Sequence, residues 1–317
     1  MRSAKCPCFI VTKYRPGACS NAIKNIGRRK KIPAGFEYHA ATSVQDAIRL
    51  LAEHEDAKVL AGGHSLLPMM KLRFAEPAHL VDINGLGELK GIQLEGNTLR
   101  IGAMTTESEL IASEVLQQHC PLLVEAARLV ADPQVRNRGT LGGDVAHGDP
   151  GNDHPAVMLA LDAEFLIEGP NGERRAPANG FFLGTYWTGL EEGELLTAIR
   201  IPVLQSGTGY GYNKLKRKTG DYATAGSPVV LSLDGERCAE IRIGLTNVAP
   251  MAIRAEPAED LLRGQVITEA LIEQAAEQVM AACDPAEDLR GDVEYKTHMA
   301  AEMARRSIRD ALERARS

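Results

Sequence analysis

Two glycine pairs constrain this 317-residue chain more than any other feature. The first lies in Ala61-Gly62-Gly63-His64-Ser65-Leu66, directly after an apolar run, and the second lies in Thr140-Leu141-Gly142-Gly143-Asp144. A glycine pair can adopt positive φ and lets backbone N–H groups converge on one point, which is how a loop becomes an anion nest. Either pair alone is more typical of an ordinary turn. Two such loops in one chain could hold the two phosphates of a dinucleotide.

The motifs that usually bind dinucleotides or nucleotides are missing. No G-x-G-x-x-G follows a predicted strand, and no G-x-x-x-x-G-K-[ST] is present, so neither a Rossmann domain nor a P-loop is predicted. The histidines form no H-x-x-x-H or H-E-x-x-H pair, and the sequence therefore predicts no metal site. His64 is positioned to add a donor to a phosphate-binding loop, and Ser65 lacks the G-x-S-x-G context of a nucleophile.

The periodicity of the chain predicts an α+β fold in two domains. Residues 32–205 form the first domain, with a β-α-β-loop-α-β subdomain over about 32–87 and a second subdomain of hairpins and helices over about 88–205. Residues 206–317 form the second domain, with three antiparallel strands followed by two long helices. Pro228 lies within one of these strands, which predicts that the strand is at an edge of its sheet or carries a bulge there.

Charge divides the chain at residue 31. Residues 1–31 hold nine Lys or Arg and no acid, and we interpret them as a disordered basic leader, either a targeting segment or a stretch translated upstream of the real start. The whole chain has a net charge of -6, so the remaining body carries -15, which argues against a nucleic-acid partner. No apolar run approaches the roughly 20 residues of a membrane span, and a cytoplasmic location is expected.

Several polar residues have competing interpretations. Asp149 and Asp153 are candidates for an acid–base pair, but the Pro-Gly-Asn between them is more typical of a turn. Strand alternation places Lys214 with two other lysines on one face, which indicates a solvated or salt-bridging surface or, within an acidic body, a contact to phosphate. Tyr222 is either a core aromatic, which the pattern alone favours, or a ring-stacking residue.

Together these residues resemble the FAD-binding medium subunits of molybdenum hydroxylases, the xanthine dehydrogenase family. Ala61-Gly62-Gly63-His64-Ser65-Leu66 is similar to the family's first FAD loop. Thr140-Leu141-Gly142-Gly143-Asp144 and the following Pro150-Gly151-Asn152-Asp153-His154-Pro155 are similar to its second. The resemblance extends from about Ile32 to the C terminus, and segments such as Lys214-Leu215-Lys216-Arg217-Lys218-Thr219-Gly220-Asp221-Tyr222 are most like the aerobic carbon monoxide dehydrogenase type.

This resemblance implies a fold, a cofactor and partners. The fold is an FAD-binding domain of vanillyl-alcohol-oxidase type, with two α+β subdomains, and a C-terminal domain with a three-stranded antiparallel sheet and helices. The chain would be an electron-transfer flavoprotein and oxidoreductase subunit without catalytic residues of its own. It would take electrons from the [2Fe-2S] clusters of a small subunit, in a dimer of heterotrimers whose large molybdenum-cofactor subunit oxidises carbon monoxide. The alternatives are the flavin subunit of a hydroxylase for an aldehyde or N-heterocycle, a stand-alone flavin-binding module, and a structural subunit that has lost flavin.

The resemblance also implies roles for individual residues. The first loop and Gly142-Gly143 would donate amides to the FAD pyrophosphate, Asp153 would accept from a cofactor hydroxyl or brace the loop, and Tyr222 would lie against the isoalloxazine ring. Lys214 would reach the flavin end. Asp144 stands where most of the family has Asn, and a carboxylate about 4 Å from a phosphate is repelled by roughly 4 kcal/mol at an effective dielectric near 20. The Asp144 side chain is therefore predicted to turn away, toward a sugar hydroxyl or a backbone amide.

Overall fold

A small parallel sheet begins the part of the chain that the structure, a computed structural model, describes: residues 32–317. Its strands are β1 (Glu37–Ala40), β2 (Ala57–Leu60) and β3 (His79–Asp82), in the order β1-β3-β2. Helix α1 (Val44–Glu53) connects β1 to β2, and α2 (Leu66–Leu72) lies between β2 and β3. The chain leaves the carboxyl end of β2 directly into the first glycine pair. The predicted basic leader lies outside the described residues.

Local signals in the sequence place the helices of this subdomain and the next. Ser43 caps α1 because its hydroxyl accepts a hydrogen bond from the Asp46 N–H at 3.0 Å. Thr106 and Glu109 form the reciprocal capping box that their spacing predicts. One apolar face of α1 packs on the parallel sheet to make a separate small core, in which Val44, Ala47 and Val81 are buried.

The second subdomain is a five-stranded antiparallel sheet with helices on it. The sheet order is β4-β5-β10-β6-β7, and a two-stranded sheet pairs β8 with β9. The strands are β4 (Ile92–Glu95), β5 (Thr98–Gly102), β6 (Glu164–Gly169), β7 (Gly172–Pro177), β8 (Phe182–Gly184), β9 (Trp187–Thr188) and β10 (Leu195–Pro202). Between β5 and β6 lie α3 (Glu107–Ala112), α4 (Glu114–His119), α5 (Pro121–Leu129), α6 (Pro133–Arg136), α7 (Leu141–His147) and α8 (His154–Ala160).

The C-terminal region is an antiparallel sheet covered by long helices. Its strands are β11 (Thr208–Leu215), β12 (Ala225–Asp234), β13 (Arg237–Leu245) and β14 (Ile253–Arg254), paired in that order. Helices α9 (Glu256–Leu262), α10 (Glu269–Ala282) and α11 (Val293–Arg316) follow. The three predicted strands are confirmed, and the two-residue β14 adds a short fourth. Tyr212 and Val230 of this sheet join the core of the preceding subdomain, so the two regions pack through a continuous apolar contact.

The prediction for Pro228 is wrong. Strand β12 lies between β11 and β13, and the register shift along β12 falls between Ser232 and Leu233 rather than at the proline. Pairing of β12 with β13 runs from Val229, and beyond Pro228 it resumes as an isolated bridge between Gly226 and Thr246. The missing proline N–H is thus accommodated by a local gap in one ladder of a central strand.

Within residues 32–317, no helix combines the length and the apolar composition that crossing a membrane requires.

Candidate functional site

The first glycine pair forms an open turn between β2 and α2. Gly63 has φ +77°, a conformation that side chains with a Cβ rarely adopt, and the His64 Nδ1 lies 3.0 Å from the Gly62 carbonyl oxygen. Four neighbouring backbone N–H groups have no hydrogen-bond acceptor among residues 32–317: those of Gly62, Gly63, His64 and Ser65. Consecutive amides without protein acceptors are what an anion nest offers to a phosphate. Leu66 begins α2 directly after this turn.

The second glycine pair begins helix α7 instead of forming a loop. Thr140 is the N-cap, and its hydroxyl accepts from the Gly143 N–H at 3.2 Å. The Gly142 N–H donates to the Ala103 carbonyl oxygen at 2.8 Å. A Cβ on Gly142 would lie 2.4 Å from the Ala103 Cβ, so glycine is needed here for close packing. The N–H groups of Leu141 and Asp144 also donate within the protein, to Thr105 and Thr140.

The two glycine pairs therefore differ in what they can offer. We expected amides from both pairs to converge on one pyrophosphate. In this structure the amides of the second pair are already used within the protein, because a capped helix start and a neighbouring strand end supply their acceptors. The first pair alone has N–H groups available for a ligand.

The two segments nevertheless lie directly against each other. A Cβ on Gly62 would lie 2.2 Å from the Arg138 carbonyl oxygen, and one on Gly143 would lie 3.6 Å from the Ala61 Cβ. The Asn84 side-chain amide donates to the Ala61 carbonyl oxygen at 2.8 Å, and the Arg138 guanidinium donates to the Asn84 side-chain Oδ1 at 3.2 Å. Asn84 thus ties the two segments together, a role that the sequence pattern did not indicate.

Asp144 turns its carboxylate toward the start of α8. Its Oδ2 accepts a hydrogen bond from the His154 backbone N–H at 3.3 Å, which is one of the destinations predicted for it. Burial raises the pKa of Asp144 to about 7, and the charges of Glu107 and Asp153 add to the rise while His154 opposes it. Asp144 therefore titrates near neutral pH beside the second glycine pair.

Glu107 and His154 form a buried ion pair behind this carboxylate. Their side chains are 2% and 0% exposed, and the His154 Nε2 lies 2.8 Å from a Glu107 oxygen. Burial alone would lower the pKa of His154, but the Glu107 carboxylate, with Asp144 and Asp153, raises it to about 9. The His154 Nδ1 has no partner among the described residues. The pair carries a protonated imidazole at neutral pH, which partly balances three nearby carboxylates.

We expect the free energy of unfolding to fall as the pH rises from about 6.5 to about 9. The folded-state pKa of His154 is raised to about 9 from an ordinary value of 6.5, so its stabilisation is complete below 6.5 and is lost as the pH passes 9. The loss is on the order of 3 kcal/mol. Urea unfolding at several pH values measures it. In Glu107→Gln the free energy of unfolding should depend less on pH over this window. An equal pH dependence in wild type and variant would contradict the conclusion that Glu107 raises the pKa of His154.

Asp153 holds the C-terminal region to the second subdomain. Its Oδ2 lies 2.6 Å from the Lys214 Nζ, and its Oδ1 accepts a short hydrogen bond from the Tyr212 hydroxyl. The Lys214 side chain is 1% exposed and also donates to the Leu129 carbonyl oxygen. These contacts are of the bracing kind expected for Asp153, and its contact with a cofactor hydroxyl stays a prediction. The Lys214 ammonium group is thus held in a buried ion pair, and the expectation that Lys214 reaches the flavin end stays a prediction.

Asp149 and Asp153 do not form an acid–base pair. The Asp149 Oδ1 accepts from the Gly151 N–H at 2.9 Å, which closes the turn that the intervening Pro-Gly-Asn predicts. Its Oδ2 accepts from the Tyr186 hydroxyl at 3.2 Å.

Tyr222 lines a cleft between the second subdomain and the C-terminal region. Its side chain is 41% exposed, so the core interpretation is wrong. The Arg290 guanidinium lies 5.4 Å from the ring centroid and is bonded to Asp221 at 2.9 Å, which fixes the ring from one side. The cleft has a volume of about 630 Å³, and its lining includes Asp149, Pro150, Gly151, Thr185, Tyr186, Tyr222, Asn247 and Arg290. An exposed aromatic beside a cleft of this size suits a planar ligand ring.

Sequence spacing missed one further group of polar side chains. His39, His54 and His79 lie together on the first subdomain, with their nearest ring nitrogens all within 4.8 Å of one another. They are separated by 15 and 25 residues in the chain, so no short motif links them. The signal that could have found them is topology, since adjacent parallel strands and the connecting helix bring these positions together.

Two family models match this chain, one over each of its main parts. Residues 34–204 match the family described as the FAD binding domain in molybdopterin dehydrogenase, and residues 210–311 match the CO dehydrogenase flavoprotein C-terminal domain. The carbon monoxide dehydrogenase medium chain of Hydrogenophaga pseudoflava is 58% identical over 281 residues, which cover 88% of this chain and 98% of that one. The medium chain from Afipia carboxidovorans is 49% identical over 287 residues, covering 90% and 100%.

The fold agrees equally well with a solved structure. The carbon monoxide dehydrogenase of Hydrogenophaga pseudoflava that lacks the Mo-pyranopterin moiety of its cofactor superposes with a TM-score of 0.88, at 60% identity, covering 89% of this chain and 99% of that chain. Both family matches lie within the described residues, and each includes segments that position the candidate site. The chain therefore belongs to the FAD-binding flavoprotein family of the molybdopterin dehydrogenases, and its C-terminal domain is that of the CO dehydrogenase flavoproteins.

Proposed function

We propose that this chain is the FAD-binding, electron-transferring medium subunit of a cytoplasmic molybdenum hydroxylase that oxidises carbon monoxide to carbon dioxide. The observation that carries the proposal is the identity of 58% to a carbon monoxide dehydrogenase medium chain over almost its full length. The open amides of the first glycine pair supply the structural support, because they are a ready site for a dinucleotide phosphate.

The described residues fit FAD. Gly62, Gly63, His64 and Ser65 present four backbone N–H groups without acceptors, which suits the pyrophosphate. The segment from Thr140 to Asp144 packs against that turn, so its role toward the cofactor is to shape the opposite wall and hold the turn in place. Tyr222 offers an exposed aromatic face for the flavin ring, held by Arg290. Asp144 directs its carboxylate to a backbone amide and so limits the repulsion that an anionic cofactor would meet.

The protein's part in the reaction is binding and orientation. FAD, when bound, supplies the redox chemistry that lets electrons arrive from one partner and leave to another. Asp153 and Lys214 fix the C-terminal region, which carries Tyr222, against the subdomain that carries the second glycine pair. This buried ion pair therefore adds to the apolar contact that sets the relative placement of the two ends of the cofactor site.

The proposal includes partner subunits. Oxidation of carbon monoxide to carbon dioxide releases two electrons and takes its oxygen from water. We propose that a large molybdenum-cofactor subunit performs it, that a small subunit with [2Fe-2S] clusters passes the electrons to this chain, and that two such heterotrimers assemble. The external acceptor then takes the electrons from the flavin.

The reconstituted three-subunit complex tests this function. Under anaerobic conditions, carbon monoxide should bleach the visible absorption of the oxidised flavin, whereas the isolated chain should bind FAD but stay oxidised under the same gas. Bleaching by an aldehyde or an N-heterocycle but not by carbon monoxide would contradict the substrate and leave the flavin role intact. A purified chain that is colourless and rejects added FAD would contradict both.

A further inference from the structure

Three histidines form a cluster on the parallel sheet of the first subdomain, outside the proposed cofactor site. His39 lies on β1, His79 begins β3, and His54 follows the last residue of α1. All three are partly exposed, so their ring nitrogens are neither sealed in the core nor fully solvated. Neither the proposed function nor the family resemblance uses these residues.

The ring nitrogens are close enough to share one ligand. The His39 Nε2 lies 3.1 Å from the His79 Nδ1, and the His54 ring stacks on both others with centroid distances of 4.5 Å and 4.3 Å. The Glu37 Oε2 lies 3.5 Å from the His79 Nδ1. Three imidazoles and a carboxylate thus converge from two adjacent strands and a helix end.

We propose that His39, His54 and His79 bind one divalent transition-metal ion of the zinc class. Zinc takes imidazole nitrogens at about 2.0–2.1 Å in a tetrahedral arrangement, which sets neighbouring ligand atoms roughly 3.3 Å apart. The separation of 3.1 Å between His39 and His79 is already close to this value. His54 completes the set when its ring tilts out of the stack, which its partly exposed position at the helix end permits. The Glu37 carboxylate or water takes the fourth position.

The set of donors defines the class of ion. Imidazole nitrogen is a ligand for zinc, copper, nickel and iron, whereas calcium and magnesium require oxygen ligands. Because the cluster offers three nitrogens and only one exposed carboxylate, it does not suit calcium or magnesium. We choose Zn²⁺ as the probe for the binding experiment because, unlike copper or iron, it does not change its oxidation state.

The site is separate from the proposed FAD site. His79 is in register with Ala57 at the amino end of β2, whereas the first glycine pair leaves the carboxyl end of that strand. His39 is level with Val59 of β2, but it lies on β1, which β3 separates from β2. The two ends of β2 are three residues, about 10 Å, apart. Binding at the histidines would connect α1 to β1 and β3 without occupying the glycine turn, so the ion would brace the subdomain that presents that turn.

Zinc titration of the full, tag-free chain loaded with FAD tests the site. We expect one Zn²⁺ per chain, a higher melting temperature on binding, and at least a tenfold loss of affinity in both His54→Gln and His79→Gln. His298→Gln is the matched control, since His298 is an exposed helix residue outside the cluster, and its affinity should equal that of wild type. Retained flavin absorption shows that each variant is folded and that the proposed function is unaffected.

X-ray absorption at the zinc edge identifies the ligands. We expect nitrogen and oxygen at about 2.0 Å with the outer-shell signal of imidazole. A sulfur shell at about 2.3 Å would assign the ion to cysteines and overturn the proposal. Unchanged zinc affinity in His54→Gln and His79→Gln would overturn it as well, and would leave the cluster as three stacked, hydrogen-bonded rings.

Discussion

Replacing Gly62 by alanine is expected to weaken FAD binding by roughly 10- to 100-fold. The added Cβ would lie 2.2 Å from the Arg138 carbonyl oxygen, 2.9 Å from its carbonyl carbon and 3.0 Å from the Gly139 Cα. All three are backbone atoms, so no side chain can rotate away, and the glycine turn must separate from the segment it packs against. Overpacking of this kind costs roughly 1–3 kcal/mol, which corresponds to the stated loss in affinity. Titration of the flavin-free chain with FAD, followed by calorimetry, measures it.

Gly85→Ala is the control for this prediction. Gly85 lies in the same subdomain, has no positive φ, and a Cβ built on it meets nothing within 4 Å. It therefore loses the same backbone freedom as Gly62→Ala without the clash, and its FAD affinity should equal that of wild type. If Gly62→Ala binds FAD as tightly as Gly85→Ala, the contact between the two segments does not support the cofactor site.

The sequence predicts this site correctly where the signal is local. A strand followed by Ala61-Gly62-Gly63 predicts a turn with positive φ, and the structure has that turn at Gly63. Thr106 and Glu109, three residues apart, predict a capped helix start, and both hydrogen bonds form. In each case the residues that decide the conformation are neighbours in the chain, so a short sequence pattern is enough to predict it.

The sequence fails where the deciding partner is distant. The second glycine pair has the same composition as the first, but the acceptor of its Gly142 amide is the Ala103 carbonyl, 39 residues earlier. Alternation along β11 indicates a solvated or salt-bridging face for Lys214, and the choice between them depends on Asp153, 61 residues away. Tertiary contacts of this kind override a local pattern, and they cannot be predicted from the spacing of residues within a motif.

The histidine cluster shows the same limit from another direction. His39, His54 and His79 match no metal motif, because metal motifs describe ligands that one loop or helix brings together. Here two parallel strands and a crossover helix do so, and only the strand order β1-β3-β2 places the residues side by side. From a predicted β-α-β unit, the proximity of the three histidines can be inferred only when the order and register of the strands are known.

Replacing Lys214 by methionine is expected to lower the free energy of unfolding by about 3–5 kcal/mol, because removing one partner of a buried ion pair leaves the other charge uncompensated. Lys214 and Asp153 are 1% and 6% exposed, and their charged atoms lie 2.6 Å apart. Methionine keeps the length of the aliphatic stem, so the loss in the free energy of unfolding measures the missing charge and not a cavity. The pair joins the C-terminal sheet to the start of α8, and the loss should also weaken FAD binding. Urea unfolding followed by circular dichroism measures the stability.

Two further variants separate the ion pair from packing. Lys216→Met removes a lysine from the same segment whose Nζ also donates to the Leu129 carbonyl oxygen, at 3.2 Å, without the contact to Asp153. It should cost about 1 kcal/mol, the contribution of one hydrogen bond. The double variant Asp153→Asn with Lys214→Met should recover most of the lost stability, because no unpaired buried charge remains and the amide oxygen of the new side chain can still accept from Tyr212. Equal losses for Lys214→Met and Lys216→Met would show that the ion pair does not hold the C-terminal region in place.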